Sequence, residues 1–462
     1  MQSSAPELPH AIAPPHRPAA GAGTAAIAAY GMLVLIVATV FAALDRQILV
    51  LLAEPMRQSL RMSDTQIGLL QGAAITLVSG VAALPIGWLA DRYGRRAMLA
   101  ACVLVWAAAT GACGLAQDFT TLFVAAAGLG IGEAGLGPIV YGLIPQIVSA
   151  RRRVLANGVY ALAAIFGGGL GLTLSGAMVK SLDAVRPWLP VAWQGLEPWR
   201  LAFLAVAIPG PLVALAVLLI RLHPWRADRQ PMDALPGRLA PFRPYRRQHG
   251  HTMATVFGGV GLATLGVVVT STWLPIIATR HFGASIADVG QGTGLATLLG
   301  TAVGALAGAA GAKLLGGRLG VALPVRVISV GSVVAALATA AMPLASQAST
   351  LYVLLSIQVA SLIAGSVLIP TLLQDMTPEA LRSRVIALGT AVTVVISSLS
   401  PVLVGLASDL LRASPAGLLA LAAALGTTGF VLGAWLMFVA ERPYVRTVHA
   451  VHPELARGHR TP

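Results

Sequence analysis

The chain has 462 residues, of which 56% are hydrophobic and only 10% charged, with a mean hydropathy of +0.80. A water-soluble domain carries about one-quarter charged residues, so this composition excludes one and points to a membrane protein. The net charge of +14 does not indicate nucleic-acid binding, because the arginines form short clusters between apolar runs and build no basic face.

In chain order, residues 1–29 form a Pro-, Ala- and His-rich tail that reads as disordered. No basic segment precedes a short apolar core there, so no cleaved signal peptide is expected and the first helix stays as an anchor. Twelve apolar runs follow, each long enough to cross about 30 Å of hydrocarbon. They place helices near 30–53, 66–90, 97–117, 120–148, 154–179, 199–221, 253–279, 286–312, 326–346, 350–373, 385–410 and 415–440. The expected fold is an all-α membrane protein, its twelve transmembrane helices in two pseudo-symmetric six-helix bundles. The first bundle spans 30–221 and the second 253–440, with a Pro- and Arg-rich linker at 222–252 and a tail at 441–462.

Arginine and lysine set the orientation. Alternate loops hold Arg92, Arg95 and Arg96; Arg151, Arg152 and Arg153; the linker cluster; Lys313 and Arg318; Arg382 and Arg384. The intervening loops, with Arg57, Arg61, Lys180, Arg186, Arg280 and Arg412, are poorer. The positive-inside rule makes the rich loops and both termini cytoplasmic, and a bacterial inner membrane is the expected location. Arg153-Val154-Leu155-Ala156 with Gly158 echoes Arg384-Val385-Ile386-Ala387 with Gly389, after the fourth span of each half. Such an echo resembles the parallel repeat of the major facilitator halves.

Between spans two and three the chain reads GWLADRYGRR, Gly87 to Arg96. This resembles the major facilitator signature, and each residue has a physical task. Gly87 lets the second helix approach the other half. Asp91 opposes the positive N-terminus of the eleventh helix, near Arg384. Gly94 makes the turn, while Arg92, Arg95 and Arg96 face the anionic leaflet. With Arg151 and Arg153 they form a candidate cytoplasmic gate.

Three ionisable residues lie deep in apolar runs: Asp45 and Arg46 in the first, Glu133 in the fourth. Each costs roughly 3 kcal/mol to insert, so a wet cavity with a charged passenger is the expected setting. Asp45 and Arg46 point about 100° apart on a helix. Glu133 falls at a similar depth, which leaves Arg46 to pair with it. A switch follows as an expectation: ionised Glu133 holds Arg46, and its protonation frees Arg46 for an anionic headgroup.

Segments ALDRQILVLL (Ala43–Leu52), LRMSDTQIGLLQG (Leu60–Gly72), GLGIGEAGLGP (Gly128–Pro138) and WRLAF (Trp199–Phe203) resemble the Spinster-like family of major facilitator transporters. The resemblance covers residues 40–215 and is faint beyond. It implies a proton-linked carrier of an amphipathic organic anion, such as a lysophospholipid, with Asp45 and Glu133 in proton coupling and Arg46 and Glu133 at the substrate. It departs from the family at Ala126, where an arginine usually stands. Asp-Arg on the first helix and G-x-G-E-A on the fourth also fit the anion:cation symporter branch, so a sugar-acid or carboxylate symporter is the alternative. The sign of a non-transporting receptor or scaffold would be a large folded soluble domain or a filled cavity, and no such domain is legible.

The remaining signals are weaker. Gly130, Gly132 and Gly135 spell a dinucleotide fingerprint, but no strand precedes them. Cys102 and Cys113 lie three helical turns apart on one span, too far for a disulfide. Histidines fall in tails and loops, so no metal, cofactor or enzymatic centre is expected. In the second half the polar candidates are mild, with Thr270 and Gln358 placed at the substrate. A monomer among membrane lipids is expected.

Overall fold

The computed structural model describes residues 22–149, 152–222 and 242–453. Among these the chain forms twelve membrane-length helices and no strand. They are α1 Ala22–Leu51, α2 Asp64–Tyr93, α3 Arg95–Leu115, α4 Phe119–Ile147, α5 Arg153–Val185 and α6 Pro198–Leu218. The second set is α7 Phe242–Phe282, α8 Ile286–Leu319, α9 Leu323–Ala341, α10 Ala348–Asp375, α11 Arg382–Leu411 and α12 Pro415–Val451.

Local chemistry sets the helix ends. Ser63 and Asp118 close capping boxes with Gln66 and Thr121 at the starts of α2 and α4. Ser285 and Ser414 cap α8 and α12. Gly94, at φ +95°, makes the α2–α3 turn, a backbone geometry that costs a side-chain-bearing residue strain. Four helices are irregular within the membrane, α6 being interrupted at Ile208 and Pro209 and α10 at Val367 and Leu368. In α2 the turns of Leu70–Leu77 are widened to π geometry, and α4 is interrupted at Gly135, three residues before Pro138.

The largest departures from the expected boundaries are at three helix ends. α1 begins at Ala22 rather than near 30, α7 at Phe242 rather than 253, and α12 runs to Val451 rather than 440. Hydropathy marks where the oil ends, but packing decides where a helix ends. Tyr245 is buried and its hydroxyl donates to the Met376 carbonyl, while Tyr444 and Val448 are fully buried. These side chains extend α7 and α12 into what reads as linker and tail. The rest of the tail, linker and C-terminal expectations, at 1–21, 223–241 and 454–462, lies outside the described residues.

The halves meet at one end only. The end that carries Gly87–Arg96 is termed the motif face, and the opposite end the far face. Towards the far face a Cβ on Gly68 or Gly72 would run into the main chain of Pro401 or Ser398 on α11, and Gly405 of α11 abuts Asp64 and Thr65. On the other side a Cβ on Gly169 of α5 would stand 3.0 Å from the Gly294 carbonyl oxygen of α8, and one on Gly176 would stand 3.0 Å from Gly290 Cα. Leu51, Ala278 and Val289 close the seam between α1, α7 and α8. Towards the motif face these contacts cease: Gly87 and Gly158 have nothing within 4 Å of a would-be Cβ. Small residues therefore bind the halves together where they touch, and the molecule is open at the motif face.

Candidate functional site

The helical twist of α1 sends its two charges to different places. Asp45 is 1% exposed and turned into the first half. Its carboxyl oxygens lie 2.7 and 2.6 Å from the Thr110 hydroxyl of α3, which also lies 2.9 Å from the Trp106 carbonyl. Arg46 points instead to α4. Its Nη2 lies 2.8 Å and its Nε 2.9 Å from the same oxygen, Oε2 of Glu133. The Arg46 side chain is 45% exposed and that of Glu133 only 6%. The second Glu133 oxygen, Oε1, is buried with no hydrogen-bond partner. Close packing of Gly130 on Ile75 and of Gly132 on Trp106 fixes this stretch of α4 against α2 and α3.

The structure thus joins Arg46 to Glu133, as the matching depths suggest, but separates Asp45 from them. The expectation that all three share one wet site fails for Asp45. A residue about 100° round the helix from Arg46 cannot face the same space.

A cavity of about 360 Å³ lies between the halves, lined by α5, α7, α8 and α10 together with Gln47 of α1. Thr270 and Gln358 both line it and touch each other: Gln358 Nε2 donates to Thr270 Oγ1 at 2.7 Å. The remaining wall is largely Leu, Val, Ile and Thr. Gln47, next to Arg46, also lines this cavity, and the sequence reading did not single it out.

At the far face the structure shows a charge cluster that sequence reasoning missed. Arg280, at the end of α7, donates through Nε to Glu54 at 2.6 Å. Its Nη1 and Nη2 reach Asp64 at 3.0 and 2.8 Å. Ser408 of α11 donates to Asp64 at 2.6 Å, and Asp409 accepts from the Asp64 and Thr65 main-chain N–H groups at 3.1 and 2.8 Å. Asp409 thereby caps the N-terminus of α2 across the interface. Glu54 sits just beyond α1 in the short helix Ala53–Ser59. Burial alone would raise its carboxyl, but Arg57, Arg280 and Gln58 together hold it below the usual glutamate value. These residues fall at the edges of apolar runs, where a sequence shows only ordinary loop charges. The one signal available was the Ser63–Gln66 cap, which fixes where α2 begins and so where Asp64 stands.

The motif residues bond within their own half. Asp91 accepts from Arg95 at 2.8 Å and is 58% exposed. Arg95 also donates to the Gly142 carbonyl at 2.7 Å, and Arg96 to the Ile220 carbonyl at 3.0 Å. Arg92 lies 5.5 Å from the Trp88 ring centroid and Arg153 donates to Pro145 O at 3.4 Å. The expectations that Asp91 opposes the start of α11 and that Gly87 approaches the other half are not met, because the halves are apart at this face. Arg151 lies outside the described residues.

These features coincide with those of a known class of membrane transporters. A model of the Major Facilitator Superfamily matches residues 35–401. The chain belongs to that superfamily, whose members are transporters rather than enzymes. It is 26% identical over 255 residues to an MFS-type efflux pump of Mycolicibacterium smegmatis, covering 55% of each chain. A probable L-galactonate transporter of Escherichia coli is 29% identical over 40% of this chain and 37% of its own. The sphingosine-1-phosphate transporter SPNS2 of Xenopus tropicalis is 31% identical over 36% of this chain and 32% of its own. The chain thus spans about half or less of the length of these curated relatives. Among solved structures, a bacterial homologue of the human lysosomal transporter Spinster, inward-facing and unoccupied, superposes with a TM-score of 0.72. It is 21% identical and covers 92% of this chain and 98% of that chain, a likeness of fold.

Proposed function

We propose that this protein is a proton-coupled carrier that moves an amphipathic organic anion, such as a lysophospholipid, by alternating access. The observation that carries this reading is the Arg46–Glu133 pair. One glutamate oxygen takes both bonds from Arg46, while the other is buried without a partner. A proton arriving on Oε1 breaks no existing hydrogen bond, yet it removes the charge that holds the guanidinium. Arg46, already 45% exposed, then offers its N–H fork to a phosphate or carboxylate. An arginine so exposed within a membrane helix is costly beside acyl tails, so its open side belongs to water continuous with the cavity at Gln47.

Asp45 serves a different part of the cycle. The Thr110 hydroxyl donates to its carboxyl at 2.6 to 2.7 Å and lies 2.9 Å from the Trp106 carbonyl, and we assign Asp45 as a second proton-coupling group behind the site. The residues Asp91 to Arg96 and Arg153 form the gate on the motif face, here open. By the loop charges that face is cytoplasmic, in a plasma membrane, with the protein acting as a monomer. The far-face cluster is the opposing gate, here closed.

The nearly apolar cavity wall favours a tail-bearing substrate over a sugar acid. A melting-temperature screen of purified protein against lysophosphatidate, sphingosine-1-phosphate and galactonate, at pH 5.5 and 7.5, separates the readings. We expect the two lipids to stabilise the protein, more at low pH, and Arg46→Ala to abolish the shift. Stabilisation by galactonate alone would select the carboxylate symporter, and no response to any of the three would reject the proposal.

A further inference from the structure

The cavity between the halves carries hydroxyls from three helices, and nearly all of them are already committed. Thr264, Thr270, Ser271, Thr293, Thr297 and Ser366 each direct their hydroxyl to a main-chain carbonyl of their own helix. Thr301 breaks the series. On α8 the hydroxyl of Thr293 goes back to Val289 and that of Thr297 to Thr293. Thr301, a turn further on, makes no such bond and has no partner among the described residues. It is only 2% exposed, yet its hydroxyl oxygen is not sealed, so the little of it that is open includes the polar atom and opens on the cavity it lines. Gln47 is a second uncommitted donor on this wall, half-buried and likewise without a partner among the described residues.

The two donors stand at different depths. Gln47 is seated against α5, where a Cβ on Gly168 would lie 3.5 Å from its Nε2 and one on Gly171 3.0 Å from its Cγ. At this level Gly169 abuts the Gly294 carbonyl of α8. Thr301 follows Gly294 by about two helical turns, roughly 10 Å further towards the motif face. Leu274, Leu355, Val359 and Leu362 line the same cavity. We infer that the substrate is polar at both ends: an anionic head at Arg46 and Gln47, an apolar stretch, and a second hydrogen-bonding oxygen that reaches Thr301. The inference rests on the amphipathic-anion reading above and narrows its substrate class to chains oxygenated at the end remote from the head, such as ω-hydroxy acids. A blunt hydrocarbon tail lays apolar groups against the Thr301 donor and removes the water that would otherwise satisfy it. A terminal hydroxyl or carboxylate keeps that bond, and a site built to make it disfavours the analogue that cannot.

The test measures binding of decanoate, ω-hydroxydecanoate and oleoyl lysophosphatidate to the purified protein and its variants at pH 5.5. The readout is the affinity for the hydroxy acid relative to decanoate, compared between proteins so that the unequal partition of the ligands into detergent cancels. That ratio should fall roughly tenfold in Thr301→Val, and Thr301→Ser, which keeps the hydroxyl, should retain it. Thr301→Ala gives the same comparison should the valine distort α8. The short pair hexanoate and ω-hydroxyhexanoate should show no such change, because its hydroxyl does not reach Thr301. Gln47→Leu should weaken both longer acids alike and leave their ratio intact. A ratio unchanged in both Thr301→Val and Thr301→Ala overturns the inference, as does an equal change with the short pair or a collapse of the ratio in Gln47→Leu. Binding of lysophosphatidate without either longer acid also overturns it and leaves the amphipathic-anion reading standing. Failure of lysophosphatidate and both longer acids to bind removes the two together.

Discussion

At the residue scale the molecule holds its charges in two contrasting ways. Arg280 is saturated, with three nitrogens on two carboxylates from two other segments. Glu133 is half-satisfied, with one oxygen free of partners. The first pattern suits a lock and the second a switch. Removing the cation from a buried pair strands the anions, typically at a cost of about 3 kcal/mol or more. Arg280→Ala should therefore destabilise the far-closed form by roughly that amount, seen as a lower melting temperature, while Arg280→Lys keeps part of it. Glu54 adds a pH dependence. Its carboxyl is held below the usual value, so its contribution is complete above the unfolded pKa of about 4.3 and is lost as the pH falls through the lower, folded value. Stability of the wild type should decline below about pH 4, and Glu54→Gln should flatten that acid limb. An unchanged limb would mean that Glu54 is not an ionised partner of Arg280.

At the element scale, small residues decide where helices touch. Gly68, Gly72 and Gly405 bring α2 and α11 into main-chain contact near the far face, and the π turns of Leu70–Leu77 lie in this contact region. Gly72→Leu should wedge these helices apart and shift the molecule towards a far-open form. A cysteine introduced as Val289→Cys reports this, since Val289 is fully buried in the seam. Its reaction with an impermeant thiol reagent should accelerate roughly tenfold in the Gly72→Leu background. No change would place the moving contact elsewhere. The number and order of the helices were legible in the sequence, because a run of apolar residues needs only its length to reveal a span. The ends of α7 and α12 were not, since buried tyrosines at 245 and 444 carry those helices past the apolar stretch. Pairing of Arg46 with Glu133 was legible from depth alone. The seclusion of Asp45 depends on which neighbour lies behind α1, and Thr110 sits on another helix 65 residues away. The far-face cluster was hidden for the same reason: Glu54, Asp64, Arg280 and Asp409 come from four separate segments.

At the scale of the whole molecule, two six-helix halves share a closed far face and part at the motif face. A carrier of this design must link occupancy of the cavity to the charge state of the site, or it would leak. Arg46 and Glu133 supply that link if anion and carboxylate compete for one guanidinium. Binding an anion then requires Glu133 to take a proton, a thermodynamic coupling that can be read directly. Proton uptake on adding lysophosphatidate to purified protein in weakly buffered solution near pH 7 measures it. The wild type should take up about one proton per molecule bound, and Glu133→Gln should bind the lipid with none. Equal proton uptake by the two proteins, or lipid binding to the wild type without any, would contradict the switch.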